Sequence, residues 1–202
     1  MKPITAVKGL VFAAALIPAA ALVYGFYTND LTANPVDYIT KQTGTWALAF
    51  LVISLTITPL RRFTHWNQII RLRRMLGLFA FFYALLHMLT WVVLLNFFDL
   101  HEMFVDVAKR PFITIGMATF LILFALALTS NQLSIRRLGK RWQLLHRLAY
   151  LAAIGAVIHF WWLVKADITK PRRWAIAVAV LLGIRVWWAW KKRLVQAAAI
   201  AR

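Results

Sequence analysis

The sequence predicts an all-α fold: a polytopic membrane helical bundle of about six transmembrane helices, with both termini cytoplasmic. Three observations carry this expectation. Hydrophobic residues make up 62% of the 202 residues and the mean hydropathy is +0.71, whereas soluble domains hold roughly 45–50% apolar residues. Apolar windows near the roughly 20 residues that a membrane span needs recur at about 8–27, 45–60, 75–96, 111–129, 144–164 and 173–190. The lysines and arginines fall unevenly across the segments between those windows, which orients the helices.

The windows form a single domain over 1–202. Lys2 and Lys8 precede or open the first apolar run, which exceeds the usual 7–15 residue core of a signal peptide and reads as a retained signal-anchor. The second window is short, with Pro59 near its end, where a proline is tolerated. The third and fifth windows contain histidines, and the sixth contains Arg185. Between the third and fourth, residues 97–110 interleave charged and apolar side chains, as in a short amphipathic element at the membrane interface. The connecting segments are short, and neither an internal repeat nor a low-complexity tract stands out.

With the N-terminus inside, the segments after the second and fourth windows hold Arg61, Arg62, Arg71, Arg73 and Arg74, then Arg136, Arg137, Lys140, Arg141 and Arg147. The C-terminal tail adds Lys191, Lys192 and Arg193, while all six acidic residues fall on the other side. A formal charge of +18 on a soluble protein would suggest nucleic acid. Here basic loops set topology and meet anionic lipid headgroups, so no nucleic-acid partner is expected. The absence of cysteine excludes disulfides, thiolate metal sites and thiolate-ligated haem.

Ionisable groups inside a bilayer are expensive and therefore functional candidates. His87 lies in the third window, His146 and His159 in the fifth, and His65 and His101 lie outside the windows. At 1.5 Å per residue His87 stands about 18 Å along its helix and His159 about 22 Å along its own, running in the same direction. The two imidazoles thus share a depth in the outer half of the bilayer. Small residues precede each of them: Ala80 and Ala84 before His87, and Ala152, Gly155 and Ala156 before His159. A helical side chain leans over the preceding turn, so small residues there leave room for a flat macrocycle. The combination points to one haem b per chain with His87 and His159 as axial ligands to its iron. Interhelical hydrogen bonding and ordinary small-residue packing are the competing structural explanation.

Tyr83, Trp91, Phe160, Trp161 and Trp162 thicken the region, although tryptophans also belong to interfacial belts. Lys109, Arg110, Lys165, Lys170, Arg172 and Arg173 are basic residues on the outer side. Arg110, Lys165, Arg172 and Arg173 are the candidates for haem propionate or anionic partner contacts. His146 lies about 20 Å nearer the inner side than His159 and on a different helical face. The equivalent position before His87 is Arg74 rather than histidine, which argues against a second haem. His146, with Arg73, Arg74 and Arg141 at the same level, is a candidate contact for a quinone or a flavin. The arginines also serve as topology anchors.

The order NPVDYITKQTGTWAL, ITPLRR, RRMLGLFAFFYALLH, RPFITIGM and TSNQLSIRRLGKRWQLLHRLAYLAAIGAVIHFWW resembles the MsrQ (YedZ) family. These are the haem-binding membrane subunits of MsrPQ methionine sulfoxide reductase systems, within the ferric reductase-like transmembrane domains. The resemblance spans roughly residues 30–190. It implies a haem electron-transfer subunit of the bacterial inner membrane, delivering electrons to an MsrP-like periplasmic molybdopterin reductase that repairs oxidised proteins. The implied donor is the quinone pool or a cytosolic flavin reductase, with FMN as a further family cofactor. The family's haem histidines map onto His87 and His159, with a less defined role for His146. The broader oxidase relatives carry two histidine pairs and a soluble nucleotide-binding domain, and this chain departs from them in both. Two other functions use the same residues: a self-contained transmembrane ferric or oxygen reductase, and a histidine-lined metal or proton transporter. The near-absence of carboxylates from the windows weighs against transport.

Overall fold

The computed structural model describes residues 3–164 and 166–200 and is helical, with no strand among those residues. Six helical segments there are long and apolar enough to cross a membrane: Ile4–Tyr27, Pro35–Thr64, Asn67–Leu95, Pro111–Leu128, Lys140–Leu163 and Thr169–Ala199. The chain is therefore a multi-pass membrane protein. In chain order the helices are α1 (Pro3–Tyr27), α2 (Pro35–Thr64), α3 (Ile70–Leu89), α4 (Leu100–Lys109), α5 (Pro111–Leu128), α6 (Gln132–Leu138), α7 (Lys140–Leu145), α8 (Leu148–Leu163) and α9 (Thr169–Ile200).

Local chemistry sets the helix ends. α2 begins well before its apolar window because Asn34 accepts a hydrogen bond from the Asp37 N–H and Pro35 occupies the first turn, where a missing N–H is harmless. It stops at His65, which adopts a left-handed conformation (φ 55°). α3 does not end as a regular helix. It passes into a π-helical turn over Thr90–Leu95, followed by Phe97 and Phe98, both at positive φ. Asp99 then caps α4 by accepting from the N–H groups of His101 and Glu102. The amphipathic element expected over 97–110 is thus a short helix after a left-handed corner. Gly139, at φ 51°, separates α6 from α7, and the chain breaks again at His146 before α8 starts.

The bundle is built from two main helix pairs, α2 with α3 and α5 with α8, joined through contacts of α3 with α5 and of α2 with α8; α9 packs on α2 and α8. Its core includes Leu51 and Leu55 of α2, Leu76, Phe79 and Ala80 of α3, Leu123 of α5, Ala152 and Val157 of α8, and Leu181 of α9. Large apolar side chains such as Ile17, Leu121, Val180 and Val186 face outward, as lipid contact requires. Lipid tails are as apolar as these residues, so close packing and interhelical hydrogen bonds must specify the assembly. One such contact fastens α1. The Tyr83 hydroxyl donates to the Ala15 carbonyl (2.7 Å) and accepts from the Ala19 N–H (3.0 Å), entering the α1 ladder beside Pro18.

Candidate functional site

His87 and His159 come together near the C-terminal ends of α3 and α8, with ring centroids 6.0 Å apart and ring planes at 78°. Each imidazole donates Nδ1–H to a backbone carbonyl on the partner helix of its pair. His87 reaches Thr40 of α2 at 2.8 Å, and His159 reaches Phe112 of α5 at 2.7 Å. A carbonyl only accepts, so Nδ1 carries the proton in both rings and Nε2 is left as the lone-pair nitrogen. Two imidazoles bound to one metal ion at about 2 Å each have centroids roughly 6 Å apart, so the pair fits a shared iron. Among the described residues no group of three or more histidine, aspartate or glutamate side chains could hold a metal ion. A metal here would take two ligands from these histidines and the rest from outside the described histidine and carboxylate side chains.

The arrangement also exposes a duplication that composition hides. Each histidine follows its acceptor by 47 residues. Gly44 and Gly116 lie four residues after the two acceptors, and Ala80 and Ala84 before His87 have their counterparts in Ala152 and Ala156 before His159. The helix pairs α2–α3 and α5–α8 present one device twice. Backbone acceptors leave no side-chain signature, so Thr40 and Phe112 escape a sequence reading; the equal spacing of Gly44 to His87 and Gly116 to His159 is the signal that was available.

The other expected residues divide. Ala80 and Ala152 are fully buried, and Ala84 nearly so. Tyr83 stacks on Phe50 (5.3 Å, 11°) and turns its hydroxyl to α1. Gly155 lies against Thr119 of α5, where a Cβ would collide with the hydroxyl. Trp91 sits in the π-helical turn with its indole Nε1 buried and without a partner, a free donor one turn beyond His87. Arg173 lines a cavity of about 400 Å³ with Gln42, Thr45, Phe160, Lys170, Trp174 and Ala177. Arg110 is paired with Asp106 at 3.2 Å and leads into α5. Arg172 is exposed, and Lys165 lies outside the described residues. Asp167 is held below the usual carboxylate range by hydrogen bonds from Thr169 and by the charges of Lys170 and Arg173.

His146 occupies a different environment, at the break between α7 and α8. Its Nε2 lies 3.2 Å from the Thr129 hydroxyl and its ring stacks on Trp142 at 4.0 Å. Trp142 in turn donates to the Thr129 carbonyl at 2.9 Å. The Arg73 guanidinium is near enough to act on His146 electrostatically, whereas Arg74 and Arg141 are exposed.

Comparison with known proteins places the chain in a family. The model of the ferric reductase-like transmembrane component matches residues 43–157. The chain is 51% identical over 193 residues to the protein-methionine-sulfoxide reductase heme-binding subunit MsrQ of Herminiimonas arsenicoxydans, covering 94% of this chain and 88% of that one. It is 46% identical to the protein of the same name from Ralstonia nicotianae (94% and 89% covered) and 47% identical to that of Xanthomonas axonopodis pv. citri (91% and 87%). No solved structure matches the chain.

Proposed function

The chain belongs to the MsrQ family of heme-binding subunits, within the ferric reductase-like transmembrane proteins, and from that premise we propose that it relays electrons through a membrane to a methionine sulfoxide reductase. One haem b per chain is held by His87 and His159. The observation that carries this reading is the imidazole pair, 6.0 Å apart, with both Nδ1 atoms engaged and both Nε2 atoms without a hydrogen-bond partner among the described residues. Such a group, when bound, supplies a one-electron couple whose potential follows its axial ligands and surroundings.

The chain's own residues hold and tune that couple. The Thr40 and Phe112 carbonyls keep each imidazole in one tautomer and raise its basicity as a ligand. Lys170 and Arg173, which line a cavity with Phe160 of α8, together with the Trp91 indole donor, are suited to neutralise and bind carboxylates. Arg172 and Lys165 stand as contacts for an anionic partner, while Arg110 is already paired with Asp106. The expected setting is the bacterial inner membrane with both termini cytoplasmic. Electrons then come from the quinone pool or a cytosolic flavin reductase, with FMN as an added carrier, and leave to an MsrP-like periplasmic molybdopterin reductase. His146, with Arg73, Arg74 and Arg141 at the same level, forms the contact on the donor side. Metal or proton transport is the weaker reading, because the described spans offer neither a carboxylate path nor a three-ligand cluster.

The test is the absorption spectrum and haem content of the protein purified from haem-replete cells. A Soret band is expected in the wild type, with near-complete loss in His87→Ala and in His159→Ala. Reoxidation of the dithionite-reduced protein by the molybdopterin partner then separates an electron-transfer subunit from a self-contained reductase. A wild-type protein without a Soret band ends the proposal.

A further inference from the structure

Both histidines reach a carbonyl that a regular helix would hide. In an α-helix the carbonyl of residue i points at the N–H of residue i+4, and the side chain of a helical residue covers the turn before it. A donor approaching from the side needs a residue without a side chain near position i+4. Thr40 and Gly44 on α2 stand in that relation, and so do Phe112 and Gly116 on α5. A Cβ on Gly44 would lie 3.1 Å from both Nδ1 and Cε1 of His87. A Cβ on Gly116 would lie 2.7 Å from Nδ1 and 2.9 Å from Cε1 of His159. Other helical glycines are not used in this way: a Cβ on Gly77 would make an ordinary 3.6 Å contact with Ser54, and on Gly183 it would meet nothing within 4 Å.

We propose that Gly44 and Gly116 are the positioning residues of the histidine pair. Each opens the flank of its helix so that one imidazole can bond the carbonyl four residues earlier. That bond keeps the ring proton on Nδ1, leaves Nε2 to bind metal and fixes the plane of the ring. The inference rests on the reading of His87 and His159 as ligands to one haem iron. The two halves are unequal. Gly116 leaves no space for a methyl group, so alanine there must displace the His159 ring or α5 itself. Gly44 is merely tight, so alanine there shifts His87 by a few tenths of an ångström.

The experiment compares full-length wild type with Gly44→Ala, Gly116→Ala, Gly77→Ala and Gly183→Ala, purified from haem-replete cells. It reads haem per chain, the electron paramagnetic resonance g-values of the oxidised low-spin form, and the midpoint potential. Gly116→Ala should lower haem affinity by about tenfold, as loss of outer ligand support does in metal sites. Gly44→Ala should keep most of its haem with displaced g-values and a displaced potential, while Gly77→Ala and Gly183→Ala match the wild type. Should Gly116→Ala fail to accumulate, Gly44→Ala carries the decision alone. Wild-type g-values and potential in Gly44→Ala, even with lowered thermal stability, would overturn the proposal and leave the haem reading intact. A wild type without haem would remove both.

Discussion

The guanidinium of Arg185 on α9 donates to the carbonyl of Leu55 on α2, which lies four residues before Pro59. Proline has no N–H, so it cannot close the helical bond to that carbonyl. Arg185 supplies the missing donor from a neighbouring helix. It also donates to the Leu181 carbonyl of its own helix at 2.7 Å and lies 5.3 Å from the Tyr150 ring centre. An intramembrane charge is costly when isolated. Here it repairs a helix defect and ties the last span to the bundle.

Arg185→Leu should therefore lower stability in detergent by about 1–3 kcal/mol, the typical penalty for a buried polar group left unsatisfied. Pro59→Ala gives Leu55 an N–H within its own helix. Combined with Arg185→Leu, it should recover part of the loss, as a thermal-denaturation double-mutant cycle would reveal. Strict additivity of the two substitutions would show that the contact has no such role.

Tyr83 offers a second interhelical lock. Its hydroxyl stands inside the Ala15–Ala19 link of α1, beside Pro18, and α1 otherwise packs sparsely, with only 6% of its apolar window buried. Tyr83→Phe should cost about 0.6–1.7 kcal/mol, the span measured for interhelical hydrogen bonds in a membrane protein. Hydrogen exchange should quicken in α1 around Ala19 while α2 and α3 keep their protection. Unchanged exchange in α1 would place its anchor elsewhere.

The helical class, the six apolar helices and the nearness of His87 to His159 were legible because each leaves a mark in side-chain chemistry: apolar length, and a rare imidazole at matched depth. What stayed hidden involves the backbone. Thr40 and Phe112 act through carbonyls, so nothing about their side chains announces them. The early start of α2 escaped the hydropathy pattern because Asp37, Lys41 and Gln42 fill its first turns, although Asn34–Pro35 is a start signal. Tyr83, one turn before His87, read as pocket packing, yet its hydroxyl is bonded to α1. Gly155 read as an opening, but Thr119 fills it. Position along a helix gives depth; only the neighbouring helices decide what a residue touches.

His146 should behave unlike the other two intramembrane histidines. Thr129 and Trp142 already engage it, and residue 74, its counterpart before His87, is arginine. His146→Ala is expected to keep most of the haem and to lose stability by about 1 kcal/mol, as is typical for one hydrogen bond. Thr129→Val should reproduce that loss. Haem quantification by pyridine haemochrome decides the matter: a fall from two haems per chain to one in His146→Ala would overturn the single-haem assignment.

The two ligand supports are unequal. The Thr40 carbonyl accepts from His87 Nδ1 at 2.8 Å and also from the Thr43 hydroxyl at 3.0 Å, a hydroxyl that reaches Ile39 as well. A carbonyl serving two donors draws less strongly on each. Thr43→Val keeps the side-chain shape and removes the competing hydroxyl, leaving the Thr40 carbonyl to His87 and the helical N–H of Gly44. The imidazole then becomes a more basic ligand, which favours the oxidised metal. The midpoint potential of the haem-loaded protein should fall while haem content stays at the wild-type level. Thr43 is fully buried, but its hydroxyl bonds only to carbonyls of its own helix, so the structural penalty should remain near 1 kcal/mol. A spectroelectrochemical titration provides the measurement. An unchanged or raised potential would mean that the Thr40 carbonyl does not tune His87.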